Sequence, residues 1–374
     1  MPKQLENPRI GVKEAIAVTA LFIGAKAFLS YQVPLYHYGA TATWMIPVLH
    51  VALAFAALYP LLWLLDRHPD KNIIQIGQEM IGPYGNAALS AFFVVILIAL
   101  TGITLREFGE RVVSGFLPDT PISMAVLLFI VASTVIAFLG FDAIARSAYI
   151  FGIAIAAGYV LLIGLSIPFW RLDAVFPLGG MGAKSIITGA VITSGDMVEI
   201  FILGLIISFV PRNAIRKISY WSIGIAGVLL ASSTLVALLV FTYPVVSEIN
   251  IPTLLVSRII NIGRFLQRME VIFAPVWMLS ALAQISLGIY LISSVTTYAL
   301  RLPYNRPFIL PAAVAVTALA FVPNNVAEAL SWDIGIIRRY TFFAVGVPLV
   351  LLYGLTILRD RKGGDRAEKQ QENS

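Results

Sequence analysis

Residues 184–210 read KSIITGAVITSGDMVEIFILGLIISFV, and this stretch decides the fold class. It is apolar and long enough to cross a bilayer, because a spanning helix needs about 20 residues. Its middle nevertheless holds five polar or flexible residues, namely Thr193, Ser194, Gly195, Asp196 and Glu199. Glycine weakens a helix, and serine and aspartate compete for its backbone hydrogen bonds. The sequence therefore predicts a membrane-spanning helix that is interrupted at this point.

The carboxylates of Asp196 and Glu199 would lie at membrane depth. A charged side chain there costs about 3 kcal/mol on insertion scales and is retained mainly beside a partner or a water-filled cavity. Interrupted backbone is tolerated under the same condition. We therefore expect a small ligand to bind here. The alternative is a continuous helix in which Gly195 only packs closely against a neighbouring helix.

The composition is that of a polytopic membrane protein. Of the 374 residues, 59% are hydrophobic and 12% are charged, whereas a soluble domain has about 25% charged residues. The net charge of +6 is then interpreted as topology, because lysine and arginine in loops set the membrane orientation. We therefore expect a lipid bilayer and no nucleic acid as a partner.

Soluble-enzyme chemistry is not indicated. The chain has no cysteine, which excludes disulfides, thiolate metal sites and cysteine nucleophiles. The sequence also lacks the P-loop, zinc-protease and serine-hydrolase motifs, and its three histidines are scattered. We therefore expect no enzyme, no cofactor and no bound metal.

Ten apolar segments predict an all-α membrane domain. They are residues 13–33, 43–65, 87–107, 121–140, 142–167, 184–210, 218–243, 266–300, 306–322 and 337–358. A short amphipathic helix and a turn on the membrane face are predicted at 71–86, and a second such helix at 251–263. We expect one transmembrane domain over residues 1–358, followed by a polar, disordered cytoplasmic tail over 359–374.

The distribution of positive charge predicts the orientation. With the N-terminus inside, the inner segments hold sixteen lysines and arginines and the outer segments hold nine, while Lys26 lies within a span. Positive residues concentrate on the cytoplasmic side of membrane proteins. Both termini are therefore predicted to be cytoplasmic.

Ten spans divide into two halves of five, residues about 13–167 and about 184–358. Because five is odd, the second half would enter the membrane from the opposite side, which is the geometry of an inverted repeat. The first span of the second half is the one interrupted at Gly195. The corresponding residues of the first half are Ile23, Gly24, Ala25 and Lys26. We expect discontinuous first and sixth spans with a binding site between them, although the two halves share no residue-level similarity.

Two interrupted helices present four half-helix ends to one another. Their N-terminal ends offer N–H groups that suit a carboxylate, and their C-terminal ends offer carbonyls that suit an ammonium or a metal cation. An amino acid carries both groups and is the expected ligand class. Lys26 can pair with Asp196 or Glu199, either as a counter-charge for the ligand or in place of a coupling cation. In the alternative, Lys26 extends to the outer interface and Asp196 caps the following half-helix.

Two further spans supply candidate site residues. In the eighth span Trp277, Ser280 and Gln284 share one helix face, so they either line a cavity or hydrogen-bond a neighbouring helix, which is the commoner case. In the third span Thr101 is a candidate for the site. The charges that follow it, Arg106 and Glu107, are interpreted as interfacial.

Residues 251–270, IPTLLVSRIINIGRFLQRME, resemble the signature of the spore germination permease family, the B subunits of nutrient germinant receptors in endospore-forming bacteria. Residues 11–31 and the segment 196–199 also resemble the first and sixth spans of that family. The resemblance covers essentially the whole chain. Three residues depart from the family pattern, namely Glu14, Arg264 and Gln284. A lysine is common at 284, so we hypothesise that this positive charge has moved to Lys26.

The resemblance implies the leucine-transporter-type fold of the amino acid–polyamine–organocation transporters. It also implies binding of a germinant, often an amino acid, and assembly with an A subunit and a C lipoprotein in the spore inner membrane. The expected function is a receptor subunit that signals germination. The alternative is a proton- or sodium-coupled amino-acid permease with the same site, and a more distant one is an ion-conducting pore. The residues themselves do not separate receptor from permease.

Overall fold

The computed structural model describes residues 10–69, 71–261 and 270–372. Within these ranges the chain is helical and contains no strand. The α-helices, numbered in chain order, are α1 (Val12–Gly24), α2 (Val33–Gly39), α3 (Met45–Arg67), α4 (Ile73–Met80), α5 (Gly82–Phe116), α6 (Ile122–Leu139), α7 (Phe141–Ser166), α8 (Ala183–Ile192), α9 (Leu203–Ile206), α10 (Ile215–Phe241), α11 (Pro252–Ile259), α12 (Glu270–Leu300), α13 (Arg306–Ala320), α14 (Val326–Trp332) and α15 (Arg338–Glu372).

Eight segments of the described chain are long and apolar enough to cross a membrane, judged by length and composition. They are Met45–Arg67, Gly82–Phe116, Ile122–Leu139, Phe141–Phe169, Ala183–Phe209, Ile215–Phe241, Trp277–Leu300 and Val326–Asp360. These coincide with eight of the ten predicted apolar segments. The other two contain the shorter helices α1 and α13. The all-α membrane class predicted from composition is confirmed.

Three predicted segments can be compared with the structure at their ends, and the first of them differs. Helix α15 continues to Glu372, where composition predicts a disordered tail; alanine, glutamate, lysine, arginine and glutamine in this segment favour a helix. The helix predicted with a turn at 71–86 corresponds to α4, which ends at Met80 before α5 begins at Gly82. The segment predicted at 251–263 contains α11, whereas residues 262–269, with Arg264, lie outside the described residues.

Local sequence explains where helices begin. Asn72 starts α4 with a capping box, in which its side chain accepts a hydrogen bond from the Gln75 N–H and the Gln75 side chain accepts one from the Asn72 N–H. Such reciprocal bonds satisfy amide groups that the first helical turn leaves free. Between α6 and α7 the turn is made by Gly140, whose φ of +94° suits a residue without a Cβ. The two apolar helices can therefore follow one another with a single-residue connection.

The first span changes its path at the predicted position. Helix α1 ends at Gly24, a 3₁₀ turn covers Ala25–Phe28, and Leu29 is extended. A Cβ on Gly24 would lie 3.0 Å from Cδ2 of Leu229 on α10. The small residue therefore lets α1 cross α10 closely at the point where its helical winding ends.

The sixth span changes its winding rather than unfolding. Helix α8 ends at Ile192, and a 3₁₀ segment covers Ser194–Ile202 before α9. A Cβ on Gly195 would lie 2.5 Å from both Cα and the carbonyl oxygen of Arg338. Both sequence-based alternatives are therefore present, since the winding is interrupted and Gly195 also permits the close approach of α15.

The interrupted span lies at the centre of the helix assembly. In its most apolar 18-residue window 89% of the residues are buried, compared with 22% for Phe141–Phe169 at the periphery. The 3₁₀ segment contacts α15, α3 and α1, while α12 contacts α5, α6 and α7. The central position removes the polar residues of the sixth span from the surface that lipid would contact.

Tyr31 anchors the segment that follows the first interruption. It is fully buried, and its hydroxyl donates to the carbonyl oxygen of Leu230 and contacts the hydroxyl of Thr234, both on α10. We expect Tyr31→Phe to lower the free energy of unfolding by about 0.5–1.5 kcal/mol, because a buried hydrogen bond is lost while Ser233 and Thr234 still donate to the Leu230 carbonyl. Thermal unfolding of the detergent-solubilised chain measures this. Tyr84→Phe is the control, since Tyr84 is 90% exposed; equal stability of the two variants would contradict the anchoring role.

Candidate functional site

A cavity lies between the two interruptions, where the first and sixth spans face α5, α12 and α15. The space between its atoms is about 410 Å³, part of it open to the outside. Its lining is mainly polar or charged on one side and aliphatic on the other. The lining residues are Lys26, Leu29, Leu100, Ile103, Thr104, Glu107, Gly195, Asp196, Glu199, Gln284, Asp333, Ile337 and Arg338.

Lys26 joins the two interrupted spans. Its Nζ donates a hydrogen bond of 2.6 Å to Oε1 of Glu199 and one of 2.9 Å to the backbone carbonyl oxygen of Asp196. The side chains of Lys26 and Glu199 are 10% and 4% exposed, so the ammonium does not extend to the interface. Of the two acids that the sequence offers as partners, the structure pairs Lys26 with Glu199.

The carboxylate of Asp196 is buried without a hydrogen bond. Among the residues that the structure describes, neither of its oxygens has a hydrogen-bond partner. Nη1 of Arg338 lies 3.4 Å from Oδ1, and Nδ1 of His50 lies 4.0 Å from Oδ2. Asp196 therefore does not cap the following half-helix through its side chain, and its oxygens remain available to a ligand.

His50, on α3, lies next to Asp196. Its Nε2 lies 3.1 Å from the carbonyl oxygen of Ala190 and 3.0 Å from Oγ1 of Thr193, which itself donates to the carbonyl oxygen of Gly189. Because both neighbours of Nε2 can accept, we assign the proton of the neutral imidazole to Nε2. Nδ1 then faces Asp196 with a lone pair. Sequence reasoning missed this contact because His50 is an isolated polar residue in the second span.

Arg338 reaches the cavity from the start of α15. A π-helix at Asp333–Ile337 precedes it, and single-turn π segments occur frequently at functional sites. Nη2 of Arg338 pairs with Oδ2 of Asp333, and the arginine is 4% exposed. The topology prediction counts Arg338 among the nine positive residues of the outer segments, whereas the structure buries it beside the sixth span. A residue beyond a change in winding points in a direction that the normal helical period does not predict.

The interpretation of Arg106 and Glu107 as interfacial charges is wrong. Glu107 is 3% exposed, lines the cavity, accepts a hydrogen bond of 3.0 Å from Oγ of Ser30 and pairs with Arg111 at 3.3 Å. Arg106 is 4% exposed and pairs with Glu110 at 2.7 Å. Helices α13 and α14 pack against α5 and bury this part of it.

Five of the thirteen predicted site residues line the cavity: Lys26, Gly195, Asp196, Glu199 and Gln284. The others pack around it. Thr101 packs against Gly288 of α12, the Trp277 ring lies 4.9 Å from the Phe108 ring between centroids, and Ser280 donates to the Trp277 carbonyl oxygen at 2.6 Å. Within the first and sixth spans the remaining buried members are Ile23, Gly24, Ala25, Thr193 and Ser194.

A second, apolar cavity adjoins the first. It has about 310 Å³ of space between atoms and shares Leu100 and Glu199 with the polar cavity. Its aromatic lining residues are Phe22, Phe93 and Phe201. The two cavities together offer charged groups at one end and an apolar surface at the other.

We expect Gly195→Ala to destabilise the protein by about 1–3 kcal/mol, because the new methyl group overlaps the backbone of Arg338 and overpacking has this cost. Thermal unfolding in detergent measures the change. The matched control is Gly164→Ala, since a Cβ there meets nothing within 4 Å. Equal melting temperatures for the two variants would contradict the close approach of α15 to Gly195.

The Lys26–Glu199 pair should behave as a coupled unit. Breaking a buried pair by removing one partner costs about 3–5 kcal/mol, so Lys26→Met and Glu199→Gln are each expected to destabilise strongly and the double variant less than their sum. A double-mutant cycle of unfolding free energies measures the coupling. The exposed pair Arg67–Asp360, with side chains 58% and 47% exposed, is the control, with an expected coupling below about 1 kcal/mol. Additive losses at Lys26 and Glu199 would refute the pairing.

Comparison with known proteins finds similarity across the chain. The family model described as spore germination protein matches residues 9–329. Spore germination protein KB of Bacillus subtilis (strain 168) is 20% identical over 386 residues, a match that covers 98% of this chain and all of the relative.

Solved transporter structures have a similar fold. MhsT in complex with L-phenylalanine has a TM-score of 0.62 and 14% identity, covering 90% of this chain and 88% of that chain. Mhp1, a nucleobase-cation-symport-1 family transporter in a closed conformation with bromovinylhydantoin bound, has a TM-score of 0.57 and 15% identity, covering 90% and 81%. These likenesses show that the chain has the leucine-transporter-type fold that the sequence resemblance implies.

Proposed function

Because this chain belongs to the spore germination permease family, we propose that it is the integral membrane subunit of a nutrient germinant receptor. It binds a small germinant in the cavity between the first and sixth spans. The observation that carries this proposal is the cavity itself, in which charged groups from both interrupted spans face one another within a protein of transporter fold. A ligand that binds in such a cavity contacts both spans and can therefore move one helix relative to the other.

The proposed membrane arrangement is a five-plus-five inverted repeat with both termini in the cytoplasm. It comprises the halves 13–167 and 184–358, and it lies in the spore inner membrane. The positions of the short helices support the repeat, because α4 follows α3 in the first half and α11 follows α10 in the second. Helices α1 and α13 complete the ten spans in this arrangement.

The proposed germinant is an amino acid. The cavity carries both signs of charge, which suits a molecule with an ammonium and a carboxylate. The adjoining apolar cavity would take an apolar side chain. L-phenylalanine is bound in the similar structure of MhsT, and it carries the same combination of charges and apolar side chain.

The proposed signal is a shift between two conformations. A ligand shifts such an equilibrium only by its differential affinity for the two states. The Lys26–Glu199 hydrogen bond joins the first and sixth spans, and the contact of Gly195 with Arg338 joins the sixth and tenth. A ligand between these groups changes the relative position of three spans. We propose that an A subunit and a C lipoprotein sense that change.

The second candidate function is an amino-acid permease coupled to protons or sodium. It is favoured by the fold, because the similar structures are transporters and cover about 90% of this chain. The same cavity would then open to each side of the membrane in turn. The two functions differ in whether the ligand crosses the membrane.

A binding screen of the purified, detergent-solubilised chain tests the site. We expect saturable binding of at least one amino acid and none of nucleosides or sugars, measured by calorimetry. Lys26→Met should weaken that binding at least about tenfold, since it removes a charge-assisted hydrogen bond in the cavity. Lys184→Met is the control, because Lys184 is exposed outside the cavity. Binding that is equally affected by both changes, or not at all, would contradict the site.

Proteoliposomes containing this chain alone separate the two functions. We expect them to bind the amino acid without accumulating it under a proton or sodium gradient. Co-purification with an A subunit and a C lipoprotein would support the receptor further. Gradient-driven accumulation that Lys26→Met abolishes would instead establish the permease.

A further inference from the structure

Among the charged lining residues of the cavity, one carboxylate has an ion-pair partner but no hydrogen bond in the described part of the chain. The ionisable lining residues are Lys26, Glu107, Asp196, Glu199, Asp333 and Arg338. Lys26 pairs with Glu199, Arg338 pairs with Asp333, and Glu107 pairs with Arg111 behind the lining. Of the lining carboxylates, Asp196 is the one with no hydrogen-bond partner on either oxygen among the described residues. A buried charge is stable only when it is paired, so Asp196 favours a cationic group in the cavity.

Arg338 presents a donor to the same place. Asp333 occupies Nη2 of the guanidinium and thereby fixes its orientation. Nη1 lies 3.4 Å from Oδ1 of Asp196 and has no hydrogen-bond partner within the described ranges. A charge-assisted hydrogen bond is shorter, about 2.7–2.9 Å. Arg338 and Asp196 therefore face each other with opposite charges, yet neither satisfies the other.

The cavity lining holds further polar atoms without a hydrogen-bond partner in the described chain, and these include acceptors. Oε2 of Glu199 and Oε1 of Gln284 have no hydrogen-bond partner among the residues described. A primary ammonium carries three N–H donors. It therefore matches a cavity lining in which Asp196, Glu199 and Gln284 each offer an acceptor that is free of hydrogen bonds in the described structure. Nη1 of Arg338 is the complementary donor, and arginine suits a carboxylate.

We propose that Arg338 and Asp196 together select the ligand, with Arg338 binding a carboxylate and Asp196 an ammonium of the same small molecule. This inference rests on the proposed function and narrows its ligand to a zwitterion with a free carboxylate and a primary amine on neighbouring atoms. The ligand bridges the two side chains from the cavity and satisfies both. Glu199 and Gln284 complete the ammonium site.

The carboxylate half of this selection depends on Arg338 of α15 and on Asp333 of the π-helix before it. The family match ends at residue 329, so Asp333 and Arg338 lie beyond the matched residues. Asp333 acts through Arg338 as a positioning residue, because it holds the guanidinium with Nη1 directed at the cavity. A relative without an arginine at this place is therefore expected to accept ligands that lack a carboxylate.

Ligand analogues test the proposal with the full-length wild-type chain. L-alanine, L-leucine and L-phenylalanine are each compared with the primary amide, which lacks the carboxylate charge, and with the acid that lacks the α-amino group. We expect both analogues of the best-bound amino acid to bind at least about tenfold more weakly, since each loses a charge-assisted contact. An amide that binds within about threefold of the amino acid overturns the role of Arg338.

Two variants test which side chain binds each charged group of the ligand. Arg338→Gln should bind amino acid and amide within about threefold of each other, because the group that distinguishes them is gone. Asp196→Asn should bind the amino acid and the acid without an α-amino group about equally well. It should still bind the amide more weakly than the amino acid. Arg106→Gln is the control, since Arg106 is equally buried and paired but outside the lining; it should discriminate as the wild type does.

The outcomes separate this inference from the proposed function. Equal binding of amino acids and amides by the wild type contradicts the inference and leaves a germinant site in place. Absence of binding to every amino acid and analogue contradicts both. If Arg338→Gln does not fold, the analogue series on the wild type still decides whether the cavity selects a carboxylate and an amine. Unchanged discrimination in a folded Arg338→Gln variant overturns the proposal.

Discussion

The structure depends on keeping charges paired where water is excluded. The ammonium of Lys26 lies between the two interrupted spans and donates to Glu199 and to the backbone of Asp196. An unpaired charge in such surroundings costs several kcal/mol, so these contacts fix how the first span sits against the sixth. The interruptions supply the partners, because a regular apolar helix would offer no carboxylate at this depth. The cavity follows from that arrangement.

Much of the fold is predictable because apolar length is a local property. The eight candidate spans coincide with apolar segments of the sequence, and Gly24 and Gly195 mark the ends of regular winding. Lys26 and Glu199 stand out because a charge within a span needs a partner. The helical continuation of α15 beyond residue 359 could not be predicted in this way, because the composition of that segment alone does not decide between helix and disorder.

The remaining site residues could not be read from the sequence, because depth and direction depend on tertiary packing. Glu107 looks interfacial by position, but it is buried in helix α5, against which α13 and α14 pack. Arg338 follows a π-helix, which changes the direction of every later side chain. In α12, spacing identifies one face for Trp277 and Gln284, yet Gln284 lines the cavity while Trp277 packs against Phe108.

Gly195 shows why interruption and packing are one feature rather than competing explanations. The change of winding exposes Asp196 to the cavity, and the missing Cβ lets the backbone of Arg338 approach. The two effects depend on each other. Without Arg338 nearby, the carboxylate of Asp196 would have no opposite charge on the side that faces α15. The same contact makes the tenth span sensitive to whatever binds Asp196. Under the proposed function, a ligand that satisfied both charges would act on two spans at once, which is the differential contact that a conformational signal requires.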